Sequence, residues 1–201
     1  LPDLGHGCGH NMIGVMSAGA GVLLSKIIDE VGGKVYVFGT PAEETNGAKV
    51  TMAEAGLFNE MDAVMMVHPD GYTTESGTSL AMEALQFDYT GRPSHAAASP
   101  ENGINALNAV IQLFNGIDAL RQHVKSDVRM HGIITNGGVA ANIVPEHATA
   151  QFYIRAATKE YLAVVKEKVL NIAQGAALIT GTTVEISNYE LSYDDLKTNQ
   201  V

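Results

Sequence analysis

Apolar residues at helical spacing open the chain. Met12, Val15, Met16, Leu23, Ile27 and Val31 recur between Asn11 and about Val31, with Asn11 placed to cap the start and Gly32-Gly33 to stop the run. Val35-Tyr36-Val37-Phe38 predicts a short buried strand, Gly47 to Ala55 a helix closed by Gly56, and Ala63 to Val67 a second buried strand. Near-continuously apolar strands alternating with helices predict a parallel sheet covered by helices. In such sheets functional residues gather just past the carboxyl ends of strands. Pro41-Ala42-Glu43-Glu44 and His68-Pro69-Asp70 sit at those places.

After Gly77 the pattern changes. A strand is predicted from about Leu80 to Tyr89, then a helix from Gly103 to about His123 with Leu107, Ile111, Phe114 and Ile117 facing inward. Strands follow near Val128 to Thr135 and Ala148 to Arg155, the second alternating Ala148, Ala150, Phe152 and Ile154 with polar neighbours. A helix from about Lys159 to Leu178 and a strand from Thr183 to Ser187 complete the order β-α-β-β-α-β, the split, ferredoxin-like unit. The expected organisation is therefore α/β: residues 1–77 a partial parallel-sheet domain, 78–188 an inserted two-layer domain, and 189–201 a segment returning to the first. Neither a repeat nor a low-complexity stretch interrupts it.

Composition narrows the classes. The chain is 46% hydrophobic and 17% charged, so a packed core is expected. Its 12 basic and 22 acidic residues give a formal net charge of -10 with no basic cluster, which argues against nucleic acid and an anionic membrane as partners. The longest apolar run, around Val22 to Ile28, is broken by Ser25 and Lys26 and is too short to span a bilayer. One cysteine, Cys8, allows no internal disulfide and fits a reducing compartment such as the cytoplasm.

The candidate chemistry starts at His6-Gly7-Cys8-Gly9-His10. A thiolate and an imidazole one residue apart, flanked by glycines, can converge on one cation, and both suit zinc and related divalent metals. Glu43-Glu44 follows a predicted buried strand. Adjacent carboxylates repel unless positive charge lies nearby, and metal would let one bind while its neighbour takes a proton from water. His68 ends the next predicted strand. Taken singly these motifs read as a glycine-rich turn, a solvated acidic loop and a structural histidine; together they put metal-compatible groups on three successive loops at one sheet edge. A thiol nucleophile at Cys8 with His10 or His68 as base is the competing chemistry, and the glutamate pair fits it less well.

Gly5-His6-Gly7-Cys8-Gly9-His10-Asn11, Pro41-Ala42-Glu43-Glu44 and Val67-His68-Pro69 resemble the aminoacylase and amidohydrolase family of metallopeptidases. So do Gly91-Arg92-Pro93-Ser94-His95-Ala96-Ala97 and Gly137-Gly138-Val139-Ala140-Ala141-Asn142-Ile143-Val144-Pro145, the family's two motifs in its inserted lid and dimerisation domain. The resemblance implies two divalent metal ions, zinc before manganese or cobalt, held by Cys8, His10, Glu44 and His68. It implies that Glu43 is the general base and that His95 reaches across a dimer interface to stabilise the oxyanion. Asn142 and Arg155 would contact the substrate, an arginine fork being well shaped for a carboxylate. The substrate would be a small peptide or acyl-amino acid. His6 would be second to these ligands or solvated, and His123, His131 and His147 structural.

Three departures qualify the resemblance. The family also uses a metal-binding histidine beyond the inserted domain, whereas the last histidine here is His147. Leu1-Pro2 matches the tail of a preceding segment, so the 201-residue sequence is expected to be part of a longer enzyme and short of one ligand. Asn11, where many family members have Asp, points to the branch of aminobenzoyl-glutamate hydrolases and dipeptidases. An N-acyl-amino-acid deacylase and a non-catalytic metal-binding dimerisation module are the alternatives.

Overall fold

The computed structural model describes residues 5–45, 47–75 and 77–197, which form two compact units. The first reaches Glu75 and the second begins at Gly77. Leu1-Pro2 and residues 198–201 of the expected return segment lie outside the described residues.

Among its described residues the first unit holds three helices, α1 (His10–Leu24), α2 (Ile28–Val31) and α3 (Ala48–Glu54). The single helix expected over 11–31 is thus divided. Lys26 and Ile27 bond back to the carbonyls of Leu23 and Leu24, three residues earlier, and this tightened turn ends α1. The cap is Gly9, in left-handed backbone at φ 75°, ahead of the expected Asn11. Where a helix closed by Gly56 was expected, α3 forms, and Gly56 has φ 76°.

The parallel sheet expected in this unit is not formed among the described residues. Val35–Phe38 and Ala63–Val67 carry no ladder hydrogen bonds and stay open, Met65 at 86% exposure. A buried strand requires a hydrogen-bonded neighbour and cover on both faces, and apolar sequence alone supplies neither. For the same reason α1 has no sheet to cover, and its Val15 is 73% exposed.

The second unit follows its sequence closely. β1 (Ala81–Thr90), α4 (Ala106–Leu120), β2 (Arg129–Asn136), β3 (His147–Ala156), α5 (Lys159–Thr180) and β4 (Thr183–Asn188) succeed one another. The strands form one antiparallel sheet in the order β2-β3-β1-β4. Hence β1 and β2 are parallel with β3 between them, and β3 and β4 are parallel with β1 between them. Each α-helix is the crossover joining one such pair.

Both helices cover the sheet face that carries Leu85, Phe87, Tyr89, Phe152 and Ile154. The Phe152 ring meets Phe87 edge-on at 6.2 Å and Phe114 at 4.7 Å between centroids. Fully burying one such side chain stabilises by roughly 1.5–3 kcal/mol. On α4 the buried stripe is Ala106, Ala109, Val110, Leu113 and Ile117. Ile111, expected inward, is 43% exposed, because the stripe runs through Val110 and Leu113 instead. Gly116 lets α5 approach closely, since any Cβ there would strike Ile172. Side chains cap both helices, Asn105 accepting from Asn108 N and Thr158 from Tyr161 N.

The opposite sheet face is polar. Thr149 Oγ1 donates to Asp88 (2.7 Å), Gln86 donates to the same carboxylate, and Gln151 donates to Gln86. Beyond β4 the chain runs back beside β1, with Tyr193 exchanging backbone hydrogen bonds with Met82 and Leu196 N donating to Ser79 Oγ.

Candidate metal centre and substrate-contact residues

Three loops of the first unit converge. The turn before α1 brings Cys8 and the first residue of α1 is His10, the turn before α3 brings Glu43 and Glu44, and the segment after Val67 brings His68. Gly9 sets the first approach. Its φ of 75° suits glycine, and a Cβ there would stand 2.8 Å from Pro69 Cγ, so the turn packs directly on the His68 loop. Ala42, just ahead of the glutamates, has φ 57°, a left-handed value costly for a residue with a Cβ. Hydrogen bonds from Thr45 N and Gly47 N to its carbonyl hold it there.

The Cys8 thiol lies 3.4 Å from His68 Nε2, and His10 Nε2 lies 3.3 Å from a Glu43 oxygen and 3.4 Å from a Glu44 oxygen. The groups fall into two sets whose candidate ligand atoms all lie within 4.8 Å of one another, Cys8-His10-His68 and His10-Glu43-Glu44. His10, rather than Cys8, is common to both. Two nitrogen or oxygen ligands of one tetrahedral ion stand about 3.4 Å apart at ordinary bond lengths. The donor set therefore fits divalent cations in both chemistry and spacing.

One ring nitrogen of His68 is engaged by the backbone. Its Nδ1 lies 2.8 Å from the Pro69 carbonyl, to which it can only donate, which leaves Nε2 as a lone-pair donor facing Cys8. The Glu44 carboxylate, through its hydrogen bond to the thiol, pushes the Cys8 pKa up; desolvation and the charges of Glu44 and Glu43 add to this. A bound cation would reverse that electrostatic balance and favour the thiolate. Glu43 and Glu44 stand equally near His10, so the division of labour between them comes from the resemblance rather than from distance.

In the second unit the two remaining motifs are zipped together. Val144 N bonds to Ser94 O, Ala96 N to Asn142 O, and His95 bridges to Ile143. His95 Nδ1 accepts from both Ala97 N (3.2 Å) and Ala98 N (3.1 Å). Neutral imidazole with Nδ1 accepting carries its proton on Nε2, so the exposed His95 presents a hydrogen-bond donor. No sequence pattern announces this tautomer.

Arg155 is not near His95 or Asn142. Their loops grow from the Thr90–His147 end of the sheet, and Arg155 is eight residues further along β3, about 26 Å at strand rise. Its Nε is shielded from solvent and meets no acceptor among the described residues, and the guanidinium lies over the Tyr153 ring at 5.8 Å.

Known proteins resemble this chain in sequence and in fold. Residues 84–180 match the family described as the peptidase dimerisation domain, of M20 type. Over all of its length the chain is 38% identical to the Xaa-Arg dipeptidase of Mus musculus, covering 47% of that protein. Over 90% of its length it is 36% identical to one of the subunits of the p-aminobenzoyl-glutamate hydrolase of Escherichia coli (strain K12), covering 38% of that protein. The aminobenzoyl-glutamate utilization protein from Klebsiella pneumoniae superposes with a TM-score of 0.75 at 22% identity, over 96% of this chain and 49% of that one. The chain spans about half the length of the dipeptidase relatives it matches.

Proposed function

We propose, from the match of residues 84–180 to the peptidase dimerisation-domain family, that the full-length protein is a metal-dependent hydrolase of dipeptide or aminoacyl amide bonds beside a free carboxylate. The observation that carries this is the five-residue donor cluster with His10 shared between its two sets. Cys8, His10, Glu44 and His68 hold two divalent cations, and the thiolate and imidazoles favour zinc over manganese or cobalt. When bound, such a pair polarises the amide carbonyl and lowers the pKa of water.

The chain's own groups supply the rest. Glu43 takes a proton from the attacking water, whose oxygen bonds to the amide carbon. As the C–N bond breaks, Glu43 passes that proton to the departing amine. His95, donating from Nε2, stabilises charge that develops on the carbonyl oxygen. Asn142 and Arg155 hold the substrate, the arginine fork taking its carboxylate.

His95 and Arg155 cannot serve one substrate within one chain. A dipeptide spans about 7 Å, far less than the separation along β3. This supports a homodimer in which His95 and Asn142 act in the neighbouring subunit's site. In this reading residues 78–188 are a ferredoxin-like lid and dimerisation domain, residues 1–77 belong to the catalytic domain, and 189–201 return to it. No helix among the described residues is long and apolar enough to cross a membrane; the proposed setting is the cytoplasm.

The test is a screen of the full-length protein against dipeptides and N-acyl-amino acids, before and after chelation and with zinc restored. Zinc-dependent dipeptide cleavage is expected. Cleavage of acyl-amino acids alone would make it a deacylase, and no cleavage of either class would overturn the reading.

A further inference from the structure

We infer that the cavity between the 137–143 loop and the start of α4 is a side-chain subsite, which takes the uncharged, apolar side chain of the amino-terminal residue of a dipeptide bound in the neighbouring subunit's site. The inference rests on the reading of His95 as the group that meets the substrate carbonyl oxygen.

The cavity has a volume of about 430 Å³, within the roughly 300–1,000 Å³ of small-molecule sites. Leu107, Val139, Ile143 and Pro145 give it apolar walls, and no charged side chain is among the described residues that line it. Its one polar side chain is Asn105, whose amide oxygen already accepts from Asn108 N to cap α4. Glycine keeps the space open. A Cβ at Gly137 would stand 3.6 Å from Leu107 Cδ1, so any longer side chain there would grow across the gap between loop and helix. Gly138, at φ 108°, turns the loop onto Pro145, where a Cβ would stand 2.9 Å from Cγ.

One residue joins the cavity to the His95 imidazole. Ile143, in the cavity wall, faces His95 across an isolated antiparallel bridge. Residues so opposed carry their side chains on one face, with Cβ atoms about 4.5–5.5 Å apart. A carbonyl oxygen held by His95 Nε2 has its own side chain one Cα away, beside that wall. The carboxyl-terminal residue lies beyond the scissile nitrogen and goes with its carboxylate to Arg155. An apolar side chain entering the cavity leaves water for apolar walls. An ammonium or a carboxylate loses its water there and finds no opposite charge, so lysine and glutamate are disfavoured at the amino-terminal position.

The experiment gives the full-length protein and its Val139→Asp variant three dipeptides that share one carboxyl-terminal residue and begin with leucine, lysine or glutamate. Val139 is 87% exposed, so aspartate there removes no packing within the chain. Wild type is expected to prefer leucine by about tenfold or more, and Val139→Asp to shift the preference towards lysine by a similar factor. Calorimetry on the same pair of proteins carrying Glu43→Gln, which suppresses cleavage, should show the same preference and the same shift in binding. Equal treatment of the three dipeptides by wild type, or an unaltered preference in Val139→Asp, refutes the subsite. So does sedimentation showing that Val139→Asp splits a wild-type dimer, since the cavity would then be a subunit contact. If the binding preference and its shift hold while no dipeptide is cleaved, the hydrolase reading fails and the subsite stands.

Discussion

His68 Nε2 stands 3.4 Å from the thiol of Cys8, sixty residues earlier in the chain, with the Pro69 carbonyl fixing the opposite ring nitrogen. Neither residue is held there by its own element. The contact exists because the Gly9 turn packs on Pro69, so the backbone, and not only the ligands, builds the cluster.

Gly9→Ala tests that dependence. The left-handed φ costs a residue with a Cβ roughly 1–2 kcal/mol, and the new methyl would also press on Pro69. Metal affinity, read by competition with a chromophoric chelator, should fall about tenfold or more with all ligands intact. Wild-type affinity in Gly9→Ala would mean the turn does not position Cys8 and His10.

Subunit mixing tests the shared site. Glu43→Gln and His95→Ala homodimers should each be nearly inactive. Reassorted together they should recover roughly a quarter of wild-type turnover, because half the dimers are mixed and each of these has one complete site. If mixing restores nothing, His95 serves its own chain or no chain.

The legible parts of the fold are those whose signals are local. Alternation along 148–154, a polar cap before each helix of the second unit and glycine after α5 specify that unit one element at a time. Segments Val35–Phe38 and Ala63–Val67 differ: both are apolar enough to be read as strands, yet neither carries ladder hydrogen bonds, because apolar sequence alone supplies no paired neighbour. Of the site, Cys8, His10, Glu43, Glu44 and His68 could be read as metal-compatible from residue type and loop position. The donor tautomer of His95 could not: it depends on the backbone amides of Ala97 and Ala98 that the fold turns onto its Nδ1.

Acid stability should depend on Glu83. Burial pushes its carboxyl up, but hydrogen bonds from Asn188, Lys166 and Ser192, with the Lys166 charge, outweigh this and hold it below its ordinary value of 4.5. A lowered folded pKa means the contribution is complete above the ordinary value and is lost as pH falls through the folded one. Urea midpoints taken between about pH 6 and pH 3 should therefore drop more steeply for wild type than for Glu83→Gln. Parallel slopes would show that the Glu83 cluster contributes nothing to acid stability.

The most direct check on the central claim measures metal content and turnover together in full-length Glu43→Gln. Metal per chain equal to wild type, with kcat lowered by about 100-fold or more, is the outcome expected of a proton-transferring base beside an intact metal centre. Metal retained with wild-type turnover would contradict the assignment of Glu43 as the base.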